Sequence, residues 1–270
     1  MDLSGKHVVV TGAAGGIGQA LAERFHAEGA LVVVGDVQAD AAAVVAARLN
    51  DVRPDSAIAV RSDVSTEEGN QGLIEAAEHR FGDIDLFFAN AGVGVGSDPM
   101  RTTEAEWQLA FAVNVHAHRW AAKYLLPRWL ARGEGYFCST ASAAGLLSQI
   151  GSAPYSVTKH AAVSFAEWLS ITYGDRGLNV SCLCPQGVNT ALLRAGDDPV
   201  AGISSSVVRA SGRVLEPPEV AEVAVAIIRA EMFLILPHDE VLTFMRNKTA
   251  DYDRWLRGMR KLQARMSDGT

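Results

Sequence analysis

The sequence is short of several things at once, and each shortage closes off a class of function. Its three cysteines, Cys138, Cys182 and Cys184, form no C-x-x-C and no paired spacing, so neither a disulfide framework nor a thiolate metal site is expected. The seven histidines do not cluster, and His116 and His118, two apart in a helical stretch, point to different faces; no metal is expected. Basic residues number 24 against 31 acidic ones, a net charge of −7, and no basic patch appears in the main body, which argues against a nucleic-acid partner. The opening Met1-Asp2-Leu3-Ser4-Gly5-Lys6 enters a strand almost at once and lacks the long apolar stretch of a secretory signal or membrane span, so the expected location is the cytoplasm.

What is present reads as an alternation of strands and helices. The 270 residues, 49% hydrophobic and 20% charged, suit one ordinary α/β domain spanning 1–270. Apolar runs predict strands at 7–10, 31–35, 57–61, 85–89, 135–139, 179–184 and 233–236, with helices near 17–28, 39–50, 67–81, 104–131, 153–176 and 217–230. Gly29, Gly82 and Gly177 close helices ahead of the next strand. Strands that alternate with helices imply a parallel sheet covered on both faces, with ligand groups at the carboxyl ends of the strands where strand order reverses.

The first predicted strand leads into Thr11-Gly12-Ala13-Ala14-Gly15-Gly16-Ile17-Gly18 and then a helix. Gly12, Gly16 and Gly18 let the backbone turn sharply and approach a pyrophosphate, which a helix N-terminus attracts through its free amides and dipole. The second strand ends in Asp36, the expected position for an acidic residue that binds the adenosine ribose hydroxyls. A carboxylate there repels a 2′-phosphate, and neither Gly15 nor Val37 supplies a cation to offset it, so NAD is expected over NADP.

Further on, Tyr155 precedes Lys159 by one helical turn. That spacing is most often an ordinary surface contact, but it also lets an ammonium favour phenolate, which suits a base working near neutral pH. Ser142 has a bland reading as a hydroxyl satisfying loose backbone groups, Asn114 as a bridge between neighbouring strands, and Asp63 as a turn or cap residue ahead of Ser65-Thr66-Glu67-Glu68.

Taken in order, these motifs resemble the short-chain dehydrogenase/reductase family over roughly residues 5–236. The glycine turn matches its cofactor fingerprint, Asp63-Val64 its adenine-pocket pair and Asn90-Ala91-Gly92 its NAG motif. Asn114 matches its catalytic asparagine, Ser142, thirteen residues before Tyr155, its catalytic serine, and Tyr155-Ser156-Val157-Thr158-Lys159 its YxxxK signature. The resemblance implies a doubly wound Rossmann-type sheet, NAD as cofactor, and hydride transfer between a secondary alcohol and a ketone. Tyr155 acts there as general acid and base and Ser142 holds the substrate oxygen. Lys159 binds the nicotinamide ribose and lowers the Tyr155 pKa, and Asn114 anchors a relay water. Cofactor contacts are implied at Gly12, Gly16, Ile17, Gly18, Asp36, Val37, Asp63, Val64, Asn90, Ala91, Gly92, Tyr155, Lys159, Pro185, Gly187, Val188 and Thr190. Members commonly form dimers or tetramers, so a homo-oligomer is implied.

Two departures stand out. The family pattern Pro-Gly-x-Val-x-Thr reads here Pro185-Gln186-Gly187-Val188-Asn189-Thr190, and the glycine pair after the seventh strand is missing. Residues 191–215 occupy the place of the family's mobile lid, with Leu192, Leu193, Val200, Ile203, Val207 and Val208. Together with Leu146, Leu147 and Ile150 they suggest an apolar pocket, with Ser142, Tyr155, Leu192 and polar Gln149 as substrate contacts. The extension 240–266 carries Tyr252, Trp255, Leu256, Met259, Leu262 and Met266 on one helical face against a basic remainder, an amphipathic helix that suits packing on this protein or a neighbouring subunit better than a membrane surface. A sensor of the NAD/NADH ratio and an epimerase or dehydratase on the same scaffold are the alternative readings.

Overall fold

A computed structural model describes residues 1–195 and 204–267. The chain runs β1 (His7–Thr11), α1 (Gly16–Ala27), β2 (Leu31–Asp36), α2 (Ala39–Val52), β3 (Ala57–Arg61), α3 (Glu67–Phe81), β4 (Leu86–Ala89), α4 (Glu104–Phe111), a π-helical turn (Ala112–His116), α5 (Ala117–Arg132), β5 (Gly135–Thr140), α6 (Ala144–Leu147) and α7 (Ala153–Tyr173). It continues through a 3₁₀ turn (Gly174–Arg176), β6 (Leu178–Leu183), α8 (Ala191–Ala195), α9 (Ser204–Ala210), α10 (Pro217–Arg229), β7 (Leu234–Ile235), α11 (Glu240–Ala250) and α12 (Tyr252–Ser267).

The seven strands form one parallel sheet in the order β3-β2-β1-β4-β5-β6-β7. Strands buried on both faces need apolar residues at nearly every position, which is why Val8, Val9 and Val10 run together without alternation. Even-numbered Val8 and Val10 belong to the core with Leu21, Phe25, Val45 and Val225 under α1, α2 and α10, whereas Val9 belongs to the core with Leu73, Leu125 and Leu169 under α3, α5 and α7. Strand order reverses between β1 and β4, so a crevice opens at their carboxyl ends.

One helical reading needs correction. The stretch 104–131 is not one helix: the π-helical turn interrupts it at Asn114, whose side chain is committed elsewhere in the fold. In the helical extension 240–266 the amphipathic stripe from Tyr252 to Met266 is α12, and α11 ends before it where Asp251 turns extended (φ −152°) and its carboxylate caps α12 by accepting from Arg254 N–H at 2.9 Å. Trp255 packs with Val241, Phe244 and Met245 on Ala143 and Leu147, while Tyr252 and Leu256 stay exposed. Lys248 in α11 reaches inward and donates to the Leu146 carbonyl at 2.7 Å, so the tail is anchored to the segment after Ser142. No described helix is long and apolar enough to cross a membrane.

Candidate active site

The crevice begins at the glycine turn. Gly15 caps α1 in extended backbone with no side-chain cap, so the amides of the first turn have no side-chain partner. Gly12 and Gly16 hold φ of +63° and +54°, which side chains adopt at a cost, and a Cβ on Gly12 would lie 2.9 Å from Ala91 Cα. A Cβ on Gly18 would overlap the Gly12 carbonyl and come within 2.6 Å of Asn90 Nδ2. Gly18→Ala is therefore expected to pry the turn open, costing about 1–3 kcal/mol of stability through overpacking and removing most NADH affinity. Thermal melts with and without NADH check it; an unshifted midpoint with normal NADH stabilisation would rule it out.

Asp36 stands at the end of β2, 9% exposed. Its Oδ2 accepts from Ala14 N–H at 2.9 Å and its Oδ1 from Gln38 N–H at 3.0 Å, so one carboxylate braces the glycine turn and still faces the crevice edge. Val37 beside it is 54% exposed. In-register pairing puts Arg61 of β3 opposite Asp36, a neighbouring cation that the two strands' separation in sequence conceals. An uncapped helix N-terminus beside a carboxylate at the next strand end fits a dinucleotide: anion at the amides, ribose diol at Asp36.

Asn90 staples rather than reaches out. Its Nδ2 donates to the Thr11 carbonyl at 3.0 Å, and its Oδ1 accepts from Thr140 Oγ1 at 3.0 Å. Thr11 Oγ1 in turn accepts from the amides of Asn90 and Ala91 at 2.9 and 3.0 Å. Thr11 and Thr140 thus lock the turn after β1 to the ends of β4 and β5, roles that two isolated threonines do not announce in sequence. Val64 is buried with Val113 and Ala117 against Ala91 and Val93. Asp63 is exposed, its carboxylate accepting from Ser65 N–H at 3.0 Å, which is the turn role open to it from sequence.

The YxxxK helix, α7, starts at Ser152, whose Oγ accepts from Tyr155 N–H at 3.4 Å, with Pro154 in its first turn. Tyr155 is half-buried, and Ser142 is 7% exposed at the end of β5. Ser142 Oγ accepts from Ala144 N–H at 3.1 Å and hydrogen-bonds Tyr155. Burial raises the Tyr155 pKa, and the Ser142 hydrogen bond opposes that only in part. Desolvation of the phenolate thus outweighs its stabilisation here, the reverse of the lowering expected from the Tyr–Lys spacing.

Lys159, 2% exposed, extends beneath Tyr155 with its Nζ 5.7 Å from the ring centre and donates to the Thr140 carbonyl at 2.9 Å. Burial brings its pKa down to about 8. The unfolded chain holds this proton up to the ordinary lysine value of 10.5, so between about 8 and 10.5 it binds more protons than the folded protein and stability rises with pH. The unfolding free energy of wild type relative to Lys159→Met is accordingly expected to move in wild type's favour by about 1 kcal/mol from pH 8 to 9, measured by urea titration. A difference that is flat across this interval would show that the ammonium is not desolvated.

Asn114 is fully buried. Its Nδ2 donates to the Val93 carbonyl at 2.9 Å and to Thr158 Oγ1 at 3.1 Å, and its Oδ1 accepts from Val93 N–H at 2.9 Å. The π-helical turn, with its extra residue, aims this amide inward to join the segment after β4 to α7. A Cβ on Gly92 would fall 3.2 Å from Lys159 Nζ and 3.3 Å from Asn114 Oδ1, so a side chain there would crowd both groups.

The loop after β6 completes the rim. Gln186 has a negative φ, so this position does not call for the glycine of the family pattern. Pro185, Gly187 and Val188 are buried, and Thr190 lies against the glycine turn, where a Cβ on Gly16 would approach its Cγ2 to 3.2 Å. Gln149 turns its Nε2 to the carbonyls of Ile150 and Ser204 at 3.1 and 3.2 Å, tying the rim to α9. Leu192 is 43% exposed and packs over Gly94, while Val200 and Ile203 lie outside the described residues.

The chain is similar to known proteins. The family model for short chain dehydrogenase matches residues 6–199. Meso-2,3-butanediol dehydrogenase of Serratia marcescens is 33% identical over 223 residues, covering 83% of this chain and 87% of that one. Cis-4-hydroxycyclohexanecarboxylate dehydrogenase of Sinomonas cyclohexanicum is 33% identical over 231 residues, 83% of this chain and 88% of its own. A short chain dehydrogenase/reductase from Burkholderia phymatum, solved in complex with NAD, superposes with a TM-score of 0.84 at 31% identity, covering 94% of this chain and 96% of that one.

Proposed function

The chain belongs to the short-chain dehydrogenase family, and from that premise we propose that it is an NAD-dependent oxidoreductase interconverting a secondary alcohol and its ketone. The observation that carries this reading is the convergence of Tyr155, Ser142 and Lys159 beside an uncapped helix N-terminus with an acidic residue at the next strand end. Bound NAD supplies the hydride acceptor. Tyr155 Oη takes the alcohol proton in oxidation and returns it to the carbonyl oxygen in reduction. Ser142, already hydrogen-bonded to Tyr155, holds the same substrate oxygen and stabilises charge as it develops there. Lys159 would hold the nicotinamide ribose hydroxyls, and Asn114, which keeps the Val93 backbone and Thr158 in place, would anchor the relay water.

The substrate in this reading is apolar. Leu146, Leu147 and Ile150 follow Ser142, the stretch read as a lid, 191–215, includes residues 196–203 outside the described ones, and Gln149 is engaged by backbone carbonyls rather than turned toward a polar ligand. The chain is one domain in which the tail 240–266 backs the Ser142 segment, and we read it as a cytoplasmic homo-oligomer. The complete Asn114, Ser142, Tyr155 and Lys159 set favours turnover over a purely NAD(H)-sensing role. The test is absorbance at the NADH band with NAD, then NADP, across cyclic, aryl and steroidal secondary alcohols. NADH formation with NAD alone is expected, and silence across the panel from protein that binds NADH would favour the sensor.

A further inference from the structure

The loop leaving β6 is clamped from two sides, and only one clamp belongs to the motifs already described. On the β5 side, Ala143 N–H donates to the Pro185 carbonyl at 2.8 Å and Ser142 Oγ to the same carbonyl at 3.4 Å. On the other side stands His238, 3% exposed, between β7 and α11. Gln186 N–H donates to His238 Nδ1 at 3.2 Å. A ring nitrogen that accepts from an amide carries no proton, so these partners assign the proton to Nε2. Nε2 faces the Gly187 carbonyl at 3.1 Å and the Arg213 carbonyl at 3.2 Å. One imidazole thus holds two consecutive residues of the loop by their backbone and ties them to the segment after α9.

The grip extends along the loop. The Gly187 carbonyl also accepts from Leu215 N–H at 2.9 Å, and Asn189 N–H donates to the Leu215 carbonyl at 2.8 Å, so Arg213 to Leu215 forms a rail along the loop's outer edge. The loop's end, Thr190, rests on Gly16. Gln186 itself cannot fix the loop by its side chain, whose two amide atoms are buried without a partner. Its backbone is set by the histidine instead.

We propose that His238 is a positioning residue for the nicotinamide end of the cofactor, holding the Gln186–Gly187 backbone so that Val188 and Thr190 meet that end, where the family resemblance puts them. The inference rests on the NAD reading above.

The test measures dissociation constants of NADH and of ADP-ribose, which lacks the nicotinamide, on the full chain as wild type and as His238→Ala. The NADH constant is expected to rise about tenfold while that of ADP-ribose changes less than about twofold. Equal weakening of both ligands overturns the proposal, because the histidine then supports the fold at large. No change in either overturns it too, because the loop then keeps its place unaided. If His238→Ala does not fold, His238→Asn retains an acceptor at the Nδ1 position and His238→Gln a donor at the Nε2 position. Each is expected to weaken NADH by a smaller factor with ADP-ribose unmoved, and parallel changes again overturn the proposal. Wild-type protein that binds ADP-ribose but not NADH, or neither, removes the cofactor reading itself, and this inference with it, before any variant is made.

Discussion

Tyr155→Phe is expected to lower turnover by a factor on the order of 10²–10⁴ while leaving the NADH dissociation constant within about twofold of wild type. The substitution keeps the ring and its packing and deletes one oxygen, the one hydrogen-bonded to Ser142. What disappears is the proton carrier at the point where substrate oxygen would sit. Because burial raises the phenol's pKa above its ordinary value, the phenolate is the scarce form at neutral pH, and oxidation of an alcohol is expected to speed up as pH rises in wild type but not in Tyr155→Phe. Single-turnover absorbance in both directions, with NADH fluorescence for binding, separates the two effects. Activity kept in the phenylalanine variant would remove Tyr155 from its role, and lost NADH binding would show that the ring itself had shifted.

How much of this site could be read before folding depends on whether the signal was local. The glycine turn, the acidic strand end, the strands and the Tyr155–Lys159 turn are all written within a few consecutive residues, and each carries its own conformational reason. The π-helical turn is different. Apolar spacing runs through 104–131 as for one helix, and the interruption at Asn114 follows from bonds to Val93 and Thr158, which are distant in sequence. Lys159 shows the same limit. Spacing puts it beside Tyr155, but its effect is set by burial and by the Thr140 carbonyl, and burial dominates the pKa of both groups. The break at Asp251 had a local signal, an aspartate directly before the amphipathic stripe that begins at Tyr252. His238 had none, because its three backbone partners come from two other segments.

Register hides one more participant, and it shapes the second large effect. Asp36→Ala is expected to weaken NADH about tenfold and to shift the NADH/NADPH preference by roughly 10–100-fold toward NADPH. Three consequences combine. The ribose hydroxyls lose an acceptor, a 2′-phosphate no longer meets a carboxylate, and Arg61, in register across β2 and β3, is left as a cation at that edge. Residues paired in register on parallel strands project to the same face, so the arginine is placed to meet the added phosphate. The variant also removes the acceptor for the Ala14 and Gln38 amides, which would loosen the glycine turn for both cofactors alike. Asp36→Asn separates these effects: it keeps an acceptor for one amide and drops the charge, so its preference should shift with less loss of NADH affinity. Adding Arg61→Ala to Asp36→Ala is expected to take back the NADPH gain while leaving NADH affinity where the single variant set it. If the preference does not move in Asp36→Ala, discrimination lies outside this edge of the sheet. If it moves but survives Arg61→Ala, relief of repulsion alone accounts for it and the arginine is a bystander.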